Sequence, residues 1–200
     1  MVVSRFRMAT LAVVALTAAA CSKKDNYATT DSTAASSTMT DTSAMAPAST
    51  SGTWSDANIV AILDEANAAD STAGSIAATK GTNSAVREFG RRMMRDHHQL
   101  RAQGQALATK LNITPEAPAD DPLASDIQKY SATLTSTAKG KDFDKAYIDG
   151  EIDVHKAVLD AATKGAAQTQ NTELKNLIQK AAPVVQAHLD LAESIQKKLQ

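Results

Sequence analysis

The chain has 200 residues with 22% charged and 43% hydrophobic side chains, 39 alanines, 4% aromatic residues, one cysteine and a formal net charge of -1. So balanced a charge argues against a general nucleic-acid binder, a single cysteine cannot build a disulfide scaffold or a cysteine zinc site, and so few aromatic and β-branched residues argue against a β-rich domain. Abundant alanine favours closely packed helices, and the expectation is an all-α fold.

Residues 1–20 read as an export signal. Arg5 and Arg7 supply a basic start, and Met8 to Ala20 carries no charge. That stretch is short against the roughly 20 apolar residues of a membrane span, and it has signal-peptide length. It runs into Ala18-Ala19-Ala20-Cys21-Ser22, which resembles a lipoprotein cleavage site although alanine stands where leucine is usual at position 18. Cys21 is then the lipidated residue and the membrane contact is a lipid anchor. Ser22 after it implies the outer membrane, by resemblance to sorting rules. Ordinary signal cleavage, giving a soluble periplasmic chain, is the alternative.

Residues 21–54 then form the lipidated cysteine and a tether rich in Ser, Thr, Ala and Asp. Too little of it is apolar to offset the entropy of ordering, and such a length spans roughly 30 Å root-mean-square. Losing Arg5 and Arg7 takes the 21 basic residues to 19 against 22 acidic ones, a mature net charge of -3.

Residues 55–200 read as one domain of four long helices and a short one. The first helix spans 56–80, capped by Ser55 with Trp54 stapled before it. Its apolar stripe is Ile59, Ile62, Leu63, Ala66, Asp70, Ala73 and Ala77. The second spans 84–111, with Val86, Phe89, Met93, His97, Leu100, Gly104, Leu107 and Leu111 at the three-and-four spacing of one face. A Pro-rich crossover leads to a short helix at 123–138. The fourth helix, 142–165 with Asp142 as cap, carries Phe143, Tyr147, Ile148, Ile152, His155 and Leu159. The fifth, 172–199, carries Leu174, Ile178, Val185, His188, Leu191 and Ile195, in phase on both sides of Pro183. That phase predicts a kinked helix rather than a broken one. Two hairpins joined by a long crossover give a ferritin-like four-helix bundle. An up-down-up-down bundle with the short helix as a full member is the alternative.

Polar residues on apolar faces are the informative observation. His97, His155 and His188 sit on the stripes of three helices, while His98 points away. Asp70 lies on the first stripe, and Asp96 and Glu151 lie at stripe edges, Glu151 one turn before His155. At about 1.5 Å of rise per residue, the three histidines and Asp70 fall into one central layer. One reading is a mononuclear site of the three histidines with Asp70 or Glu151, since imidazole suits Zn, Cu, Fe and Ni. The other is a structural core in which Asp70, Asp96 and Glu151 satisfy the imidazoles. A di-iron carboxylate centre is not expected, because it needs Glu-x-x-His on two helices and none occurs. No nucleophile motif or phosphate loop is present, so no enzymatic activity is expected. The run Arg87, Arg91, Arg92, Arg95 and Arg101 lies off the stripe, as a solvated face that pairs with acidic neighbours.

Four strings carry a resemblance. They are Val86-Arg-Glu-Phe89 through Asp96-His97, Leu107 through Pro115, Phe143 through His155, and Ala182-Pro183 through His188 to Ala192. Over residues 55–199 the chain resembles domain of unknown function family 4142, a ferritin-like, outer-membrane family of bacteria. The resemblance implies an envelope helical bundle acting as a non-enzymatic binding or stress-related module, with no established ligand. The family often has Glu where Asp70 stands and Ala where Gly90 stands.

Overall fold

The computed structural model describes residues 52–200. The expected export signal, Cys21 and nearly all of the tether lie outside them. Five helices make up the described chain: α1 (Asp56–Lys80), α2 (Ser84–Leu111), α3 (Ala124–Ser136), α4 (Lys141–Gln168) and α5 (Thr172–Leu199). Among the described residues there is no strand, and no helix is long and apolar enough to cross a membrane.

Local chemistry explains the boundaries. Ser55 and Asn58 form a reciprocal capping box at the start of α1, satisfying two backbone N–H groups that the helix cannot. Asn83 and Asn171 cap α2 and α5 through their side-chain oxygens. Asn112 ends α2 in the left-handed conformation at φ 53°, which asparagine tolerates better than most residues. The start of α4 departs from expectation. Its N-cap is Gly140 and no side chain caps it, so Asp142 is a first-turn residue that acts only through its charge near the helix N-terminus. Pro183 leaves α5 unbroken. It and Gln179, whose carbonyl loses its helical partner, are both exposed, so water can replace the missing bond.

The architecture is two hairpins, α1–α2 and α4–α5, joined by the crossover that carries α3. α1 packs beside α4 and α2 beside α5, while α3 lies against α4 and α1. Polar clamps fix the ends. At one end Asp144, buried at the start of α4, accepts the backbone N–H groups of Thr82 and Asn83 at 2.8 and 2.7 Å, and the Thr82 hydroxyl as well. Those donors lie in the α1–α2 turn, so α2 and α4 start at the same end and run parallel. At the other end the Thr169 hydroxyl donates to Asp56 at 2.6 Å, and Lys110 pairs with Glu173. Trp54, placed at the end of the tether by composition, belongs to the core: it is buried, its backbone N–H donates to the Gln168 side-chain oxygen at 2.8 Å, and the Lys164 ammonium lies 3.8 Å from its ring centre.

The two hairpins differ in their seams. α1 and α2 approach closely because Gly74 faces Gly90. A Cβ on Gly74 would fall 2.6 Å from the Gly90 carbonyl oxygen, and one on Gly90 would fall 2.7 Å from that of Gly74. An alanine in place of Gly90 would therefore need this crossing to open. Toward the α2 C-terminus the packing loosens. Leu100, Gly104, Leu107 and Leu111, expected in the core, are only partly buried. Leu100 and Gly104 border an apolar cavity of about 60 Å³, whose walls also include Leu63, Val158, Leu177 and Val185.

Candidate metal centre

The central layer expected from helical rise exists. His97, His155 and His188 converge from α2, α4 and α5 with ring centres 5.1 to 5.7 Å apart, each at most 2% exposed. One nitrogen from each ring lies within 4.8 Å of the others.

Each ring spends its other nitrogen on an acceptor. His97 Nδ1 donates to Asn67 Oδ1 at 2.9 Å, His155 Nδ1 to the Glu151 backbone carbonyl at 2.9 Å, and His188 Nε2 to Asp96 Oδ2 at 3.1 Å. Those bonds place the proton on the outer nitrogen. His97 Nε2, His155 Nε2 and His188 Nδ1 remain as buried lone pairs with no hydrogen-bond partner. Outer hydrogen bonds that fix the tautomer, with bare nitrogens pointing together, are the support a metal-binding imidazole needs. Asp96 also accepts from Arg95 at 3.1 Å, which anchors the carboxylate behind His188.

The carboxylates are placed differently from either expectation. Asp96 does satisfy a histidine. Asp70 and Glu151 do not join the three bare nitrogens. They sit behind the rings, with Asp70 Oδ2 at 3.5 Å from His97 Nδ1 and Glu151 Oε2 at 3.5 Å from His155 Nδ1, and they group instead with each other and His155. The reason is reach: the first-turn partners Asn67 and the Glu151 carbonyl already hold the outer nitrogens. The Tyr130 hydroxyl from α3 is buried against Glu151 Oε1 at 2.9 Å, with its ring over Gly150, where a Cβ would come within 2.1 Å of it. Asn67, Tyr130 and the polar end of Tyr147 were not anticipated from sequence. His98 is exposed, and Arg91, Arg95 and Arg101 pair with Glu88, Asp96 and Asp64, as expected of a solvated face.

Electrostatics keeps the imidazoles neutral. Burial, then His155 and His188, hold His97 well below its usual range. Burial and His188 push His155 down to about 4, against the Glu151 carbonyl. Burial lowers His188, opposed by Asp96. Burial pushes Asp70 up to about 8. It lifts Glu151 well above the carboxylate range, with Asp70 adding and the Tyr130 hydroxyl opposing.

These directions set a pH dependence. The unfolded chain takes protons on histidine near 6.5 while folded His155 waits until about 4, so the imidazoles contribute stability above 6.5 that is lost as pH falls. The carboxyls act oppositely. Folded Asp70 keeps its proton up to about 8 against 3.8 for the model carboxyl, so its contribution is present at low pH and lost as pH rises through 8. Three imidazoles outweigh two carboxyls below 6.5, and the carboxyls alone act above it. The metal-free protein is expected to melt highest near pH 6.5. Thermal melts in chelator across the range check this, and a Tm that does not fall between pH 6.5 and 8 would show Asp70 already ionised in the fold.

Comparison with known proteins agrees with this architecture. A sequence family described as a domain of unknown function, DUF4142, matches residues 39–195. No curated protein matches. Among solved structures, "CopM in the Cu(II)-bound form" superposes with a TM-score of 0.58 at 11% sequence identity, covering 74% of this chain and 99% of that one. Identity that low speaks for a shared helical fold.

Proposed function

The chain belongs to the DUF4142 family, and from its core we propose that it is a metal-binding protein of the bacterial envelope, holding one transition-metal ion on His97, His155 and His188. The observation that carries this reading is the set of three buried, partnerless ring nitrogens, His97 Nε2, His155 Nε2 and His188 Nδ1. An unpaired buried polar atom costs about 1–3 kcal/mol, and three in one place are satisfied together by one cation. Three nitrogens on one ion at about 2.0–2.1 Å lie about 3.3–3.6 Å apart, so nitrogens within 4.8 Å of one another close on an ion by drawing together.

Among divalent ions, copper binds such nitrogen sites most tightly. The Cu(II) named for the structurally similar CopM supports copper as the first ion to test, ahead of Zn, Fe and Ni. The residues of the core bind, orient and exclude water, and the role proposed is binding. The charge-free run before Cys21 and the Ser/Thr-rich segment after it support attachment to the outer membrane by a lipid, with the bundle in the periplasm.

The test is the metal content of the full chain purified without a histidine tag. One copper per chain with nitrogen hyperfine structure in its electron paramagnetic resonance spectrum is expected. No binding of Cu, Zn, Fe or Ni would leave the histidines as structural residues and end this reading.

A further inference from the structure

Behind the histidines lies a second polar cluster that the three-nitrogen site does not use. Asp70 and Glu151, 1% and 0% exposed, bring carboxylate oxygens and a His155 nitrogen within 4.8 Å of one another. The Tyr130 hydroxyl satisfies Glu151 Oε1. Both oxygens of Asp70, Glu151 Oε2 and the hydroxyl of fully buried Tyr147 have no hydrogen-bond partner. No lysine or arginine pairs with either carboxylate among the described residues.

We propose that Asp70 and Glu151, with the Tyr147 hydroxyl, form a second cation site beside the three histidines, so that the bundle core holds two ions. The proposal deepens the metal-binding reading and adds a site of different chemistry. Two carboxylates neutralise one divalent ion, which is the cheapest way to keep them charged in a dry core. Oxygens held at about 2.0–2.2 Å from one ion can lie up to about 4.4 Å apart, close to the spread observed. The phenol is the independent sign of a ligand: it has no partner at normal hydrogen-bond distance, yet burial, then Glu151 and Asp70 beside it, push its hydroxyl well above the usual range, and Phe89 and Phe143, ring centres 6.0 and 6.5 Å away, hold its ring. His155 Nδ1 keeps its proton for the Glu151 carbonyl, which leaves this site oxygen-rich. It therefore takes a divalent first-row ion that accepts oxygen ligands, Zn(II) or Mn(II). It is distinct from the di-iron centre of ferritin-like bundles, which draws a Glu from each of two helices and Glu-x-x-His from two more.

Zn(II) suits both donor sets and is the probe. The full, untagged chain is loaded with Zn(II), the ions are counted by native mass spectrometry, and their positions are found by anomalous diffraction at the zinc edge. Two ions are expected in the wild type. The near-isosteric pair Asp70→Asn with Glu151→Gln should retain one, at the histidines, and His188→Ala should retain one, at the carboxylates. A single ion on the three histidines of the wild type overturns the second site and leaves the first standing. A single ion on Asp70 and Glu151, unaffected by His188→Ala, does the reverse. No bound ion overturns both. The wild-type diffraction alone decides the matter if a variant fails to fold.

Discussion

Copper raises the melting temperature of the wild-type chain, and removing any one core imidazole removes that rise. A ligand that binds only the folded state stabilises by about 2.7 kcal/mol at a hundredfold excess over Kd. For a domain of this size each kcal/mol moves Tm by roughly 2–4 °C, so the shift is easily read. His97→Ala, His155→Ala and His188→Ala should each melt at the same temperature with copper as with chelator. Their metal-free losses should be smaller, because each ring makes a single hydrogen bond and Asp96, about a quarter exposed, regains water when His188 is truncated. His98→Ala, one residue along α2 but exposed, should keep the whole rise. A rise of the same size in His188→Ala would place the metal elsewhere.

Phe89→Ala should be the most damaging apolar change, at about 3–5 kcal/mol for a buried phenylalanine. Phe89 is 2% exposed and meets Tyr147 edge-to-face across the α2–α4 diagonal, an arrangement that adds to the loss beyond area. It helps tie the first hairpin to the second, just over two turns from His97 along α2. Chemical denaturation measures the loss. Phe89→Leu, which keeps most of the volume, should cost markedly less; equal losses for the two would mean that the ring stacking, and not the filled space, is what matters.

Much of this centre was legible from periodicity. Spacing by three and four put His97, His155, His188 and Asp70 on buried faces because one helical stripe must face the core, whatever the neighbours are. Helix bounds were legible where a capping side chain marks them, as at Ser55, Asn83 and Asn171. They blurred at α4, whose cap is a glycine. What the one-dimensional pattern could not supply was which element crosses which. Asn67 stands one turn from Asp70 and looks like an ordinary surface amide until α2 brings His97 to it. Tyr130 reads as the apolar residue of a weak helix until Gly150 admits its ring. The half-buried lower stripe of α2 is the same lesson reversed: Leu100, Leu107 and Leu111 have the right phase but are only partly buried, and Leu100 borders a cavity.

The three histidines come from both hairpins, His97 from α1–α2 and His155 and His188 from α4–α5. Either hairpin can form from local contacts, yet neither alone presents more than two of the nitrogens. The binding geometry therefore exists only after the last step of assembly, the docking of one hairpin on the other. An interaction absent from the folding transition state acts on the escape rate rather than on the approach. Metal held here would slow unfolding while leaving the folding rate nearly unchanged, and the lifetime of the native chain would then track the supply of the ion.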